Sequence, residues 1–211
     1  MERGEIQEMK RFVTFEGIDG SGKSTIVKLV CKRLKSEGYD VISTYEPTDS
    51  WMGKQVQHCI ETNSDPFVTA FTFIVDRIEH CKQIKKWLDE DKIVLCDRYA
   101  ESTYAYQGVQ LKDTIDNPIK WLKELSKDII LVPDRTFVFI IDPEKSLGRI
   151  QHRDKLIPFE RASFLEKVHQ NYLDLSVGEQ FLKIDASKEI EELVDICYKA
   201  VSYTHLRAHE T

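Results

Sequence analysis

The segment FVTFEGIDGSGKST, residues 12–25, constrains the fold of this chain more than any other segment. A short run of β-branched and aromatic residues leads into the pattern G-x-x-x-x-G-K-S, Gly17 to Ser24, and a helical pattern follows. Strand, loop and helix in this order are the setting of a phosphate-binding P-loop. Glycines let such a loop turn backbone N–H groups toward a polyphosphate, and the helix directs its positive end at the same anion. The segment therefore predicts a strand-to-helix unit that binds a polyphosphate.

Two side chains of the loop have specific expected roles. Lys23 can reach the β- and γ-phosphates of a nucleotide, and the Ser24 hydroxyl can bind Mg²⁺, which we expect as the cofactor. A glycine-rich turn that binds nothing is the alternative, and the complete spacing disfavours it. The residues expected to bind the donor nucleotide are Gly17, Ile18, Asp19, Gly20, Ser21, Gly22, Lys23, Ser24 and Thr25.

Composition excludes several classes of partner. The chain of 211 residues has a formal net charge of −6, whereas a broad nucleic-acid-binding surface needs an excess of Lys and Arg. No apolar run approaches the roughly 18 residues of a membrane span, and we expect no signal peptide ahead of the first strand. The five scattered cysteines have no C-x-x-C spacing, so they fit neither a disulfide framework nor a zinc site. We therefore expect a cytoplasmic protein with reduced core thiols and with neither nucleic acid nor membrane as partner.

Apolar patterns alternate between strand and helix periods along the chain. Strands are expected at 12–16, 40–45, 92–96, 136–141 and 180–184. Helices are expected at 26–38, 52–61, 66–89, 117–131, 162–177 and 189–201, with a short helical stretch after residue 98. This alternation predicts an α/β fold with a mostly parallel, doubly wound sheet. The expected buried side of the longest helix carries Phe67, Phe71, Ile74, Ile78, Ile84 and Leu88.

The two ends of the chain lack the patterns of the rest. Residues 1–10 are polar and unpatterned, so we expect a loose leader. Residues 11–201 form the expected domain, which includes an irregular, arginine-rich lid at about 148–161. Residues 202–211 fit neither the closing helix nor a stop signal, and we expect them to be a non-native or disordered tail.

Three polar motifs each follow a predicted strand: the P-loop, the turn Glu46-Pro47-Thr48 and the pair Asp97-Arg98. Ligands of doubly wound sheets bind beyond the carboxyl ends of the strands, so we expect the three motifs to share one crevice. A carboxylate at position 97 can help to hold Mg²⁺, and an arginine at position 98 can bind an anionic acceptor with paired hydrogen bonds. A simple ion pair at the strand end is the alternative.

The segments EPTDS, FIVDR and DRYAESTYAYQG, taken with the P-loop, resemble the thymidylate kinase family, and EPTDSWMGK is similar to its archaeal-type branch. The resemblance runs from about residue 12 to residue 201. It implies a P-loop fold of the nucleoside monophosphate kinase type, with three layers, a five-stranded parallel sheet, helices on both faces and a short arginine-rich lid. It also implies transfer of the γ-phosphate of ATP to dTMP, which gives dTDP for dTTP biosynthesis, and assembly as a homodimer.

The same resemblance implies acceptor roles for particular residues. Phe73 would stack on thymine, although an aromatic residue on a helix is often simply part of the core. Arg77 and Arg98 would meet the acceptor phosphate, and Asp19 would contact the 3′-hydroxyl. The full set expected to bind dTMP is Asp19, Glu46, Pro47, Phe73, Arg77, Arg98, Ser102, Tyr106 and Gln107.

The lid is expected to neutralise charge in the transition state. Some members of the family carry a basic residue inside the P-loop at the position of Gly20, so here an arginine would come from the lid instead. An arginine that reaches the transferring phosphoryl group can be worth on the order of 10³–10⁵ in rate. We prefer Arg153, then Arg149, with Arg161 third. The expected catalytic residues are Lys23, Asp97, Arg98, Arg153 and Arg149.

Two other functions stay open at this point. One is another P-loop kinase, with dUMP, UMP or a nucleoside as acceptor, because a 5-methyl group is worth only about 1–3 kcal/mol of discrimination. The other is a regulatory module that binds a nucleotide without catalysis, against which the intact Lys23, Ser24 and Asp97 argue. A GTPase is disfavoured because the sequence has no N-K-x-D motif.

Overall fold

The computed structural model of the protein describes residues 12–150 and 162–202. The expected leader, most of the expected lid with Arg153 and Arg161, and the tail from residue 203 onward lie outside the described residues.

Five parallel strands form one sheet: β1 (Phe12–Glu16), β2 (Val41–Tyr45), β3 (Ile93–Asp97), β4 (Arg135–Ile140) and β5 (Phe181–Asp185). Their order in the sheet is β2-β3-β1-β4-β5. Asp97 pairs with both Phe15 and Tyr45, so the carboxyl ends of the three strands β1 to β3 lie at one level. β1 is buried along its whole length and β3 along most of it, which fits their mostly apolar sequences. The predicted five-stranded parallel sheet is confirmed.

Helices cover both faces of the sheet. The helix that follows the P-loop packs against the last helix of the chain, whereas the third, fourth and seventh helices form a second contiguous group. Among the described residues the helices are α1 (Lys23–Ser36), α2 (Trp51–Glu61), α3 (Pro66–Asp89), α4 (Ala100–Gln110), α5 (Pro118–Ser126), α6 (Pro143–Ile150), α7 (Ala162–Leu175) and α8 (Ile190–Ser202). None of these described helices combines the length and the apolarity that crossing a membrane requires.

Side-chain caps explain where the helices α2 and α3 begin. The Ser50 hydroxyl accepts a hydrogen bond from the Gly53 N–H at the start of α2. The Asp65 carboxylate accepts from the N–H groups of Phe67 and Val68, and Pro66 occupies the first turn of α3. Such caps satisfy amides that have no partner inside the helix, and each contributes about 1 kcal/mol.

The described helices differ from the expected pattern at three places. The segment before the lid is helical, since α6 extends to Ile150 and the Asp142 carboxylate accepts from the N–H groups of Glu144 and Lys145 at its start. α5 ends at Ser126, five residues before the expected end. Ser202 is not the start of a tail, because it is buried as the last residue of α8 and its hydroxyl donates to the Tyr198 carbonyl.

The buried face of α3 also differs from the apolar stripe expected from the sequence. Ile74 and Ile84 are buried as expected, but Phe71 is 45% exposed. The inward face instead carries three polar side chains, Asp76, Arg77 and His80, all of which are buried. The helix therefore covers a polar site rather than an apolar core along this stretch. All five cysteines are buried and free, as expected for core thiols.

Candidate functional site

The P-loop connects β1 to α1 in a conformation that depends on glycine. Gly17, Gly20 and Gly22 all have positive φ angles, of 138°, 78° and 90°. A Cβ atom at position 17 would lie 2.6 Å from the Phe139 carbonyl oxygen of the neighbouring strand, so no larger residue fits there. The loop places the N-terminus of α1, which begins at Lys23, against the carboxyl edge of the sheet. The described geometry is that of an anion site formed by backbone amides.

Lys23 is buried within the loop and bonded to it. Its Nζ donates to the Ile18 carbonyl over 2.8 Å and to the Ser21 hydroxyl over 3.2 Å. Burial, and then the positive charge of Arg98, lower the pKa of Lys23 to about 8. A polyphosphate in the loop would favour the charged form and raise that pKa again.

A cleft beside the P-loop, here called the outer cleft, is lined by Ser24, Lys28, Tyr45, Asp97 and Arg98 among others. The Ser24 side chain is exposed at the start of α1, so its hydroxyl is free to reach a ligand. The Oδ1 atom of Asp97 is buried and has no hydrogen-bond partner among the described residues. A hydroxyl and a carboxylate oxygen facing one cleft are the hard oxygen donors that Mg²⁺ prefers.

A second cavity, here called the inner pocket, lies between α2, α3 and α4. All nine residues expected to bind the acceptor line it, although they come from four separate segments of the chain. Three residues that the sequence did not suggest line it as well: Gln57, Ile60 and Tyr99. Gln57 and Ile60 belong to α2, where the sequence offered only a helical period and no motif.

Arg98 lies where the two cavities meet, since it lines both of them. Its Nη2 atom is 2.7 Å from Oδ1 of Asp19, and its Nη1 atom donates to the Ser102 hydroxyl over 3.0 Å and to the Gly17 carbonyl over 3.2 Å. Its backbone has a φ of 69°, in the left-handed region that non-glycine residues rarely adopt. Strained residues of this kind cluster at functional sites, where the surrounding structure holds them.

Arg77 lines the inner pocket only, and its charge is already compensated. It is 1% exposed, and its Nε and Nη2 atoms lie 2.9 and 2.7 Å from Oε2 of Glu46. Nη2 also donates to the Tyr99 carbonyl and to the Thr103 hydroxyl. The remaining nitrogen, Nη1, is buried and has no hydrogen-bond partner among the described residues. The side chain therefore offers the pocket one unpaired NH₂ group, that of Nη1, rather than a full net charge.

Gln107 and Phe73 complete that part of the inner pocket. The Gln107 amide is buried and its Nε2 donates to Oε1 of Gln110, whereas its own Oε1 has no partner among the described residues. Phe73 is half-buried and lines the same cavity. Buried polar atoms in native proteins are nearly always hydrogen-bonded, so an unpaired donor and an unpaired acceptor here point to a ligand. The pocket thus presents an aromatic face, one donor and one acceptor.

Asp19 connects the P-loop to α4. Its Oδ2 accepts a hydrogen bond from the Tyr106 hydroxyl over 2.9 Å. Its backbone N–H donates to the oxygen of that Tyr106 hydroxyl over 3.1 Å. Burial alone would raise the pKa of Asp19, but the positive charges of Arg98 and Lys23 outweigh it and lower the pKa. Asp19 is therefore a charged acceptor at the wall of the inner pocket.

The end of α6 approaches the P-loop from the opposite side. The Ser146 hydroxyl donates to the Asp19 carbonyl. Arg149 donates to the Gly20 carbonyl over 3.5 Å and to the Ala186 carbonyl over 3.3 and 3.4 Å, so its guanidinium group lies beside the loop. Arg153, the preferred lid arginine, falls outside the described residues.

Comparison with known proteins agrees on one family. The family model described as "Thymidylate kinase" matches residues 15–196. The chain is 40% identical over 185 residues to the "Probable thymidylate kinase" of Methanosarcina barkeri, covering 86% of this chain and 90% of that protein. The protein of the same name from Methanosarcina mazei is 39% identical, over 87% of this chain and 91% of that protein. The one from Methanocaldococcus jannaschii is 40% identical, over 87% of this chain and 90% of that protein.

Proposed function

Because the chain belongs to the thymidylate kinase family, we propose that it transfers the γ-phosphate of ATP to dTMP, with ADP and dTDP as products. Its enzyme class is that of an ATP-dependent nucleoside monophosphate kinase. One observation carries the assignment of this chain's own residues: the outer cleft and the inner pocket adjoin at Arg98. Two anionic nucleotides bound in these cavities would bring their phosphates together at a guanidinium group.

The donor nucleotide occupies the P-loop and the outer cleft in this proposal. The loop amides from Gly17 to Thr25 and the dipole of α1 hold its phosphates, and Lys23 leaves its bonds to Ile18 and Ser21 for the β- and γ-phosphates. Ser24 and Asp97 would hold Mg²⁺, and the unpaired Oδ1 of Asp97 supports that role. When bound, this ion supplies charge neutralisation between the donor phosphates.

The acceptor nucleotide occupies the inner pocket. Phe73 stacks on the pyrimidine ring, the free Nη1 of Arg77 donates to a ring carbonyl, and the free Oε1 of Gln107 accepts from the ring N–H. A pyrimidine with an imide edge, such as thymine, carries this acceptor and donor side by side. Arg77 was expected at the phosphate, but its pairing with Glu46 and its absence from the outer-cleft lining favour the base instead.

Arg98 takes the acceptor phosphate in this proposal, because it alone of the two arginines lines both cavities. Asp19 holds Arg98 in place and accepts from the sugar 3′-hydroxyl, with Ser102 and Tyr106 completing that wall. Glu46 and Pro47 flank the junction. Catalysis then comes from positioning and charge neutralisation, since an acceptor oxygen in line with the γ-phosphate needs little covalent help.

The lid supplies the remaining positive charge. Arg149 already lies beside the P-loop through its contacts with Gly20 and Ala186, which supports it as one lid arginine. We keep Arg153 as the preferred arginine for the transferring phosphoryl group and Arg161 as the third, both on the sequence alone. Closure of the lid would exclude water and suppress hydrolysis of ATP.

Assembly and location are also proposals. Val68, Phe71 and Val75 are 50%, 45% and 40% exposed and recur on one side of α3, so this stripe suits the interface of a homodimer. Light scattering of the wild type and of Phe71→Glu would show whether a dimer forms and whether this face holds it. The five buried free cysteines support a reducing compartment, and we place the enzyme in the cytoplasm.

A panel of acceptors tests the proposed function directly. ADP release would be measured with dTMP, dUMP, UMP, AMP and thymidine, for the wild type and for Lys23→Ala. We expect the highest kcat/KM with dTMP and a loss of activity in Lys23→Ala, while Lys32→Ala, an exposed lysine of the same helix, should match the wild type. Tight ATP binding without dTMP-dependent ADP release would favour a regulatory module, and preference for another acceptor would favour a different kinase. No observation in the described residues favours either alternative.

A further inference from the structure

A buried histidine beneath the inner pocket has no role in the function proposed so far. His80 belongs to α3, is 5% exposed and does not line the inner pocket. It lies one turn after Arg77, on the same inward face of the helix. Both of its ring nitrogens have close polar partners, so its orientation is fixed from two sides.

The imidazole ring joins strand β2 to the residue that holds Arg77. Its Nε2 lies 2.8 Å from the Thr44 hydroxyl, and its Nδ1 lies 2.9 Å from Oε1 of Glu46. The other oxygen of that carboxylate, Oε2, pairs with Arg77. A continuous chain of contacts thus runs from Thr44 through His80 and Glu46 to Arg77.

The hydrogen-bonding capacity of each group keeps both contacts. A carboxylate without a proton only accepts, so Nδ1–H donates to Glu46. The Thr44 hydroxyl can donate to Nε2 or accept from it, so this contact fits either form of the ring. The buried Glu46 carboxylate, which is 2% exposed, has one oxygen satisfied by His80 and the other by Arg77.

The carboxylate of Glu46 helps to fix the guanidinium group of Arg77, together with the Tyr99 carbonyl and the Thr103 hydroxyl. Nε and Nη2 of Arg77 are both occupied by that carboxylate and by α4, which leaves Nη1 as the nitrogen available to the pocket. If Glu46 lost its partner on the far side, the carboxylate could rotate and Nη1 would lose its fixed direction. A hydrogen-bond donor must be held within fractions of an ångström to be fully effective.

We propose that His80 is a positioning residue for the acceptor nucleotide, which acts by holding Glu46 and, through Glu46, the free N–H of Arg77. The proposal rests on the proposed function, because it assigns Arg77 to the acceptor. Its signature is selective: binding of the acceptor depends on His80 more than binding of the donor does. Thr44 and Glu46 also line the outer cleft, but Arg77, the group that the contact chain holds, lines only the inner pocket.

Steady-state kinetics of His80→Phe tests the proposal. Phenylalanine keeps a ring of similar shape but makes neither hydrogen bond. We expect KM for dTMP to rise by up to about 10- to 100-fold, the usual effect of losing a hydrogen bond from a charged group, here the bond that Arg77 Nη1 donates to the ring. KM for ATP should be unchanged and kcat lowered much less. His80→Gln keeps an amide that can donate to Glu46, so we expect it to recover part of the loss. His58→Phe, the same change at an exposed position on α2, serves as the matched control and should match the wild type.

The outcomes separate this proposal from the proposed function. If the wild type does not phosphorylate dTMP, the proposed function fails first. If the wild type does so and His80→Phe has a lower melting temperature but an unchanged KM for dTMP, then His80 is only a structural residue and the proposal is overturned. An equal rise in both KM values would overturn it too. If His80→Phe does not fold, Thr44→Val can be used instead, because it removes only the contact between the Thr44 hydroxyl and Nε2 of His80. We then expect a two- to fivefold rise in KM for dTMP and no change in KM for ATP, and an unchanged KM for dTMP would contradict the proposal.

Discussion

The ion pair between Arg77 and Glu46 is almost completely removed from solvent, with side-chain exposures of 1% and 2% and a separation of 2.7 Å. Replacing one partner of such a pair leaves the other charge buried and uncompensated, which costs about 3–5 kcal/mol. For a domain of this size, each kcal/mol lowers the melting temperature by about 2–4 °C. We therefore expect Arg77→Met to lower the melting temperature by about 6–20 °C.

A second variant separates this stability effect from the effect on acceptor binding. In Arg77→Met/Glu46→Gln the uncompensated charge is gone, while the glutamine amide can still accept from His80. Replacing both members of a buried pair is often close to neutral for stability, so we expect most of the lost stability to return. The free Nη1 donor is not restored, so KM for dTMP should stay raised by about tenfold or more.

Chemical denaturation and steady-state kinetics of the wild type, the single variant and the double variant provide both measurements. Destabilisation by Arg77→Met of less than about 1 kcal/mol would contradict the view that this charge pair is desolvated and coupled. Recovery of the wild-type KM for dTMP in the double variant would contradict the role of Arg77 in the inner pocket.

Three further predictions follow from the site. Because the pKa of Lys23 is lowered to about 8, part of this lysine is neutral near that pH and ATP should charge it. Calorimetry in buffers of different ionisation enthalpy should show net proton uptake on ATP binding that is larger at pH 8 than at pH 7 and that is lost in Lys23→Ala; the same uptake at both pH values would refute this. Gln107→Leu should raise KM for dTMP about tenfold and leave KM for ATP unchanged, because the acceptor for the ring N–H is lost. A KM for dTMP equal to that of the wild type would refute this role of Gln107. Arg153→Ala should lower kcat far more than it raises either KM, and a kcat at the wild-type level would remove this arginine from the mechanism and leave Arg149.

Much of the fold could be predicted because the residue pattern of each predicted strand matches a strand of the sheet. The five strands lie within about a residue of their expected positions, since short runs rich in β-branched and aromatic residues and bounded by turns have few other solutions. The P-loop could be predicted for a stronger reason. The backbone of β4 leaves no room for a side chain at position 17, so the first glycine of the motif is required by steric exclusion.

The prediction failed where a helix covers the site. Apolar periodicity on α3 placed Phe71 inside and gave no role to Asp76 or His80, because it assumes that a buried face is an apolar one. Here the inward face is polar, and each polar group is satisfied by another segment: Asp76 accepts from Thr48, and His80 contacts Glu46. Those contacts join residues about thirty positions apart, so no local pattern could reveal them.

Residues of the site could be grouped from the sequence, but their individual roles could not be assigned. Motifs after three strands predicted a shared crevice, and the structure brings all nine expected acceptor residues around the inner pocket. The division of labour between the two arginines depends on distances instead. Arg77 is paired with Glu46 and lines one cavity, whereas Arg98 lines both, and sequence alone treats them alike.

A crystal structure with dTMP and a non-hydrolysable ATP analogue bound together tests the central claim most directly. The claim is that the two nucleotides meet at Arg98, with the donor in the outer cleft and the acceptor in the inner pocket. We expect the dTMP phosphate within hydrogen-bonding distance of the Arg98 guanidinium, with thymine against Phe73, Arg77 and Gln107. Thymidylate bound outside the inner pocket, with its phosphate remote from Arg98, would contradict the account.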